Sequence, residues 1–409
     1  MHVWRFAAAG AFALTAAGVS GAQSVTRSAA VASAIDHGPR LAIARADSAA
    51  ARAQVSMARQ YENPVFGLSY TKDSPQHHVG LDIPLDLPWF RNPRINFAQS
   101  ALDAAALRFL FEREVVAYDA DTTYTQAVAA AARARLARAN SRDADSLLII
   151  ARVRRDAGDA SELDVQLATV SAGQMSNIAA TDSVDAVTAL LAVQAAMGLN
   201  AIAPSITLAD TLAIPMAVLV TRDTGTPLQI AVAEQSVRAA EFGIAFERRL
   251  RFGIPSLSLG FDTHDPGGQG NAILPAIGIA MPIPLFNQNS AAVEAARAQR
   301  DRLQAELDLA RVEVNAALAR AQREWNVAMQ RAFRSVQLVA GANRVVALSL
   351  LAYREGAASL PSVLESQRTS REVLGQYVAD VAAVQNAESL VHLLERTARG
   401  ATTVNRTNR

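Results

Sequence analysis

The sequence contains no cysteine and a single lysine, Lys72, and only 5% of its 409 residues are aromatic. Without cysteine there is no disulfide framework, cysteine zinc site, iron–sulfur cluster or thiol nucleophile, and no lipid anchor on an N-terminal cysteine. The shortage of rings argues against a large compact core, where aromatic side chains supply much of the buried area. Yet 51% of the residues are hydrophobic, mainly alanine, valine and leucine, which suits long and closely packed helices. Neither sign of charge is in excess. With 39 basic residues against 38 acidic ones, no basic surface for nucleic acid is expected.

Long hydrophobic runs are also scarce. The apolar stretch from Phe6 to Val19 follows Arg5 and precedes Ser20-Gly21-Ala22, the pattern of a secretory signal peptide over residues 1–22, cleaved after Ala22. It is shorter than the ~20 residues that span a bilayer. Beyond it no uninterrupted apolar run of about 18 residues occurs, so the mature chain is expected to lack an obvious membrane-spanning helix.

What the sequence does contain is an internal duplication. Val79-Gly80-Leu81-Asp82-Ile83-Pro84-Leu85 matches Ile277-Gly278-Ile279-Ala280-Met281-Pro282-Ile283, and the same register pairs Arg113 with Arg311, Val116 with Val314, Gly158 with Gly356 and Val165 with Val363. Upstream, Pro64-Val65-Phe66-Gly67-Leu68-Ser69-Tyr70 matches Pro255-Ser256-Leu257-Ser258-Leu259-Gly260-Phe261 in a shifted register. The length difference therefore falls in the connection between the two segments, as expected for an exposed loop. The reading divides the mature chain into a first repeat at 23–199, a connecting segment at 200–227, a second repeat at 228–400 and a polar, disordered tail at 401–409.

Each repeat has the same order. A helical stretch, 29–59 or 228–250, leads to two extended segments, a very long helix, a glycine turn and a returning helix. The extended segments alternate with period two. Phe66, Leu68 and Tyr70, then Val79, Leu81, Ile83 and Leu85, oppose Gly67, Ser69, Gly80, Asp82 and Pro84. In the second repeat Leu257, Leu259, Phe261, Ile277, Ile279, Met281 and Ile283 oppose Ser256, Ser258, Gly260, Gly278 and Ala280. Turn formers at 72–76 and 263–268 join them into two hairpins. Two hairpins are too little sheet to stand alone in water, and four strands cannot close a barrel of useful bore. Strands of about nine residues can cross a bilayer when tilted, however, and an oligomer could close the barrel. A small soluble sheet packed on the helices is the competing reading.

From 92 to 155 there is no glycine, and the only proline is Pro93 at the start, so this stretch predicts one helix of roughly 95 Å. The stretch 289–355 behaves likewise, with Gly341 as its only potential breaker. Leu303, Leu307, Ala310, Val314, Ala317 and Ala321 recur at steps of three and four, as do Leu374, Tyr377, Val381 and Val384, the seam of a coiled coil. Gly158 and Gly356 supply the reversals, and Ser161 and Ser359 are placed to cap the returning helices. His37, His77, His78, His264 and His392 show no convergent triple for a metal. No nucleophile–base set, phosphate loop or catalytic carboxylate pair is present. An enzyme is not expected, nor a cofactor.

Three motifs stand at matching places in this order: Glu62-Asn63-Pro64 before the first strand, Pro282-Ile283-Pro284-Leu285-Phe286-Asn287-Gln288-Asn289 after the last, and Tyr353-Arg354-Glu355-Gly356 leading to Val363-Leu364-Glu365-Ser366-Gln367-Arg368-Thr369. With them, nearly the whole mature chain resembles the TolC-type outer-membrane efflux factors, and the Pro-Leu-Phe-Asn segment looks most like their heavy-metal branch, the cobalt-zinc-cadmium type. The resemblance implies a mainly helical protein with a small β part, a homotrimer in which each protomer gives four strands to a twelve-stranded barrel among outer-membrane lipids. Its helices would form a periplasmic duct that takes cargo from an inner-membrane pump, of resistance-nodulation-division type among the candidates, through a periplasmic adaptor protein. It further implies that Gly158, Ser161, Gly356 and Ser359 lie at adaptor-contacting tips. Glu162, Asp164 and Glu365 would line the pore entrance, although acidic residues in a first helical turn are equally ordinary dipole complements. Heavy-metal cations, drugs or, in a type I secretion system, proteins remain open as cargo. A periplasmic coiled-coil adaptor is the further alternative.

Overall fold

The structure is a computed structural model that describes residues 23–73, 76–199, 202–215, 225–263 and 273–397. The expected signal peptide and tail lie outside these residues, as does His264. Strand β1 (Gln23–Val25) precedes α1 (Arg27–His37) and α2 (Pro39–Arg59), β2 (Val65–Tyr70), β3 (His77–Pro84), α3 (Pro88–Asp156) and α4 (Glu162–Ala196). After β4 (Ile206–Leu208) come α5 (Leu228–Leu250), β5 (Ser256–Thr263), β6 (Leu274–Ala280), α6 (Ser290–Arg354) and α7 (Leu360–Glu395). The run α2-β2-β3-α3-α4 thus recurs as α5-β5-β6-α6-α7.

The long helices form where breakers are missing. α3 has 69 residues and α6 has 65, and Gly341 interrupts nothing in α6. α3 starts four residues before the expected 92, because Pro88 occupies the first turn, where a ring-fixed φ and a missing N–H cost nothing. Pro93 consequently lies inside the helix. Conversely, the helical stretch expected over 29–59 is two helices. Gly38 adopts an extended conformation, and Pro39 opens α2. A Cβ on Gly38 would stand 2.2 Å from the Ala34 carbonyl oxygen, so only glycine fits this break.

Helices pair along alanine-rich seams. In α6, Leu307, Val314 and Ala321 are buried, and in α7, Val381 and Val384 are fully buried, as the three-and-four spacing predicts. α4 and α6 each contain a stretch with mean hydropathy of 1.3 and 1.4, long and apolar enough by composition to cross a membrane. The expectation of no such helix in the mature chain is corrected to that extent. The stretches lie in the paired hairpins, where only 17% and 6% of them are buried in a single protomer.

Near mid-length of the helices, β1 lies parallel to β4, Gln23 opposite Ile206 and Val25 opposite Leu208. This ladder caps a core of Val25, Ala30, Tyr124, Ala127, Val128, Val193, Met197 and Ile206. The Tyr124 hydroxyl donates to the Val25 carbonyl at 2.9 Å, and Arg27 ties α1 to α3 through Asp121 at 3.0 Å. The connecting segment, expected to be irregular, therefore contains a strand.

Candidate functional site: the sheet face and the helical tips

The four remaining strands form one antiparallel sheet in the order β2-β3-β5-β6, the two hairpins joining through β3 and β5. Register fixes which side chains share a face. Phe66 lies opposite Leu81, Leu68 opposite Val79, Val79 opposite Phe261, Leu81 opposite Leu259, and Leu259 opposite Ile277. One face is thus apolar apart from His77 and Thr263 at its far end, and Phe66, Leu68, Ile277 and Ile279 on it are exposed in the protomer. The other face carries Gly67 opposite Gly80, Gly80 opposite Gly260, and Gly260 opposite Ala276. This row of the smallest residues runs between two polar rows. On one side Ser258 donates to Asp82; on the other His78 Nδ1 lies 2.8 Å from the Asp262 carboxylate and Nε2 lies 3.2 Å from Thr71 Oγ1. β3 places His77 on the apolar face instead, its ring centroid 5.2 Å from that of Tyr70. Among the described residues no three His, Asp or Glu side chains converge on a metal position. Among the described residues the outer edges of β2 and β6 have no partner strand.

At the opposite end, both long helices stop on the same motif. Gly158 and Gly356 have φ of 84° and 78°. Asp159 N–H reaches back to the Arg154 carbonyl at 2.8 Å, and Ala357 N–H to the Ala352 carbonyl at 2.8 Å, the six-to-one bond of a helix ended by a left-handed glycine. The two returning helices then differ. Ser161 Oγ accepts from Asp164 N–H at 3.2 Å while the Asp164 carboxylate accepts from Ser161 N–H at 3.0 Å, a reciprocal capping box. Ser359 stands at the equivalent position, but its hydroxyl makes no capping bond. Pro361 has removed one candidate donor, and Ser362 N–H goes to the Ser359 carbonyl at 3.2 Å. The expected side-chain cap at Ser359 is thus replaced by a backbone one.

The acidic candidates are engaged within the protomer. Glu162 accepts from Gln166 at 2.9 Å and Arg155 at 3.1 Å, and these bonds hold its carboxyl below the usual value. Asp164 closes the capping box. Glu365 is 4.0 Å from Arg368, which also bonds Glu372 at 3.1 Å. Sequence reading missed the residue that joins the two turns, Arg154. Its guanidinium stacks 4.7 Å over the Tyr353 ring and donates to the Tyr353 and Asp159 carbonyls. Beneath it Leu147, Ala151, Val165, Tyr353, Leu360 and Val363 make one buried cluster from all four helix ends.

No protein-family model matches the chain. Solved structures with this arrangement of helices and open sheet include CusC, at a TM-score of 0.73 and 16% identity over 91% of this chain and 92% of that one. The CmeC outer membrane channel of Campylobacter jejuni superposes at 0.74 and 14% identity, over 93% and 88%. The outer membrane protein VceC of Vibrio cholerae does so at 0.72 and 15%, over 91% and 96%. The chain has the TolC-type outer-membrane channel fold. In sequence it is 26% identical over 292 residues to the nickel-cobalt-cadmium resistance protein NccC of Alcaligenes xylosoxydans xylosoxydans, a match covering 68% of this chain and 65% of that relative.

Proposed function

We propose that this protein is the outer-membrane exit duct of a tripartite efflux pump, passively conducting heavy-metal cations. The observation that carries the reading is the sheet. A face that is apolar from Val79 to Ile83 and across its neighbours, a reverse face made mostly of glycine, alanine, serine and aspartate, and, among the described residues, two unpaired edges make sense when several copies close a barrel, lipid outside and water within. Three copies would give twelve strands. The helices continue the duct across the periplasm, and a signal peptide ending at Ala22 delivers the chain there without a lipid anchor. Residues 23–199 and 228–400 act as the two structural repeats, joined by 200–227.

The tips at Gly158 and Ser161, and at Gly356 and Ser359, are the surfaces offered to a periplasmic adaptor, which links the duct to an inner-membrane pump. Glu162, Asp164 and Glu365 lie beside those tips and would ring the entrance in a threefold assembly. Metal cargo is favoured over drugs or proteins by the likeness to a nickel-cobalt-cadmium resistance protein. Deleting the gene and restoring it tests the whole reading. Tolerance to nickel, cobalt and cadmium should fall and recover, with the protein found in the outer-membrane fraction. Unchanged tolerance to all three would remove the metal cargo, and a freely soluble mature protein would remove the channel.

A further inference from the structure

All connections between sheet and helices described here meet at one end of the sheet, where Val65 pairs with Asp82 and Pro84 with Ser256. That junction is rich in arginine. Arg91 and Arg94 converge on the buried Asp86 carboxylate, at 3.6 and 2.6 Å, and Arg91 also lies 4.2 Å over the Tyr61 ring. Four more, Arg59, Arg248, Arg249 and Arg251, are exposed and form no ion pair among the described residues. The carboxylates at this level do not balance them. Asp86 is consumed, Glu247 holds the Asn289 amide at 2.9 Å, Glu294 in the first turns of α6 is paired with Arg297, and Glu62 is exposed. Basic last turns complement the dipoles of α2, which ends at Arg59, and of α5, but that does not account for the number of charges gathered at this one level. Exposed rings stand among them: Tyr61, Trp89, Phe252 with Arg251 5.6 Å over its face, and Phe286.

This band lies where the apolar face ends. From Pro275 to Ile283, β6 and the three residues after it, the chain reaches roughly 26 Å along the strand direction, about 20 Å of height at the tilt of a barrel strand, so in the membrane-spanning reading the rings and guanidinium groups just beyond it fall at headgroup level. Guanidinium binds phosphate oxygens in pairs, and Arg248, Arg249 and Arg251 fan over roughly 160° of the helix circumference. We propose that this collar selectively docks anionic phospholipid headgroups of the leaflet facing the helices. The proposal rests on the reading of the sheet as membrane-spanning.

The test uses the full mature chain in bilayer discs of equimolar phosphatidylglycerol and phosphatidylcholine, with retained lipids counted by native mass spectrometry. Phosphatidylglycerol should be enriched at least about fivefold, less so at high salt. The fourfold variant R59Q/R248Q/R249Q/R251Q should lose the enrichment, while the same four positions changed to lysine should keep most of it. Equal retention of both lipids by the wild type, or undiminished enrichment in the glutamine variant, overturns the proposal. Failure of the wild type to enter either bilayer overturns the membrane-spanning reading as well, which separates the two failures.

Discussion

Asp380 is a carboxylate in the middle of an apolar seam, 3% exposed between Val378 and Val381. It is fully engaged: Ser335 Oγ donates at 2.6 Å, Gln376 Nε2 at 2.7 Å and Arg331 at 2.9 Å. Arg331 is itself half exposed. Arg331→Leu, which strands the buried charge, should therefore destabilise by about 3–5 kcal/mol, whereas adding Asp380→Leu should recover much of that in thermal denaturation; strictly additive losses would refute the pairing. The seam positions around Asp380 are readable from their spacing, but an aspartate at such a spacing reads as a solvent-facing residue. Only its three partners, on two helices, explain it. Glu388 offers a pH readout further along α7. Burial holds its carboxyl above the usual value, against the lowering influence of His392 and Arg27. The unfolded chain then gives up this proton first, so stability is full at low pH and falls as pH rises through the interval between the unfolded and folded values. Glu388→Gln should flatten that fall and leave the protein at least as stable at neutral pH.

Strands with period-two alternation are legible one by one, because each side chain's face follows from the backbone alone. The pairing of β3 with β5 is not, since it joins residues about 180 positions apart through contacts that no local pattern encodes. The three-residue β1 and β4 escape notice for a related reason. They are too short to show a period, and their ladder forms only over the Tyr124 core. Reading 29–59 as one helical stretch passes over the Gly38-Pro39 break, although a Gly-Pro pair is a punctuating signal within a helical pattern. Two adjacent positions test the face assignment. Ile277→Arg places a charge on the apolar face and should cost about 2–4 kcal/mol at mid-membrane, abolishing assembly, while Ala276→Arg points to the glycine side and should assemble but conduct less in planar bilayers. Equal behaviour of the two would contradict the register. At the tips, a β-branched residue at Gly158 or Gly356 forces a left-handed backbone that costs about 1–2 kcal/mol. Gly158→Val and Gly356→Val should each weaken pump-dependent tolerance more than they lower the melting temperature.

The protomer as a whole leaves its needs unmet at both ends of its architecture. Among the described residues the sheet has two edges without a partner strand and an exposed apolar face, and α4 and α6 expose apolar stretches along their length. Light scattering of the detergent-solubilised protein should therefore give about three times the mass of the mature chain, and a monodisperse monomer would argue against the closed barrel. The free edges of β2 and β6 also carry a genetic consequence. In the proposed trimer each copy receives a neighbour on one side and supplies one on the other, so a single defective copy leaves its ring open. If such a copy is expressed equally with the wild type and both mix freely, only about one assembly in eight is intact. A lesion at either edge should then behave as dominant, poisoning the function of sound copies made in the same cell, whereas a chain truncated before β2 should be recessive.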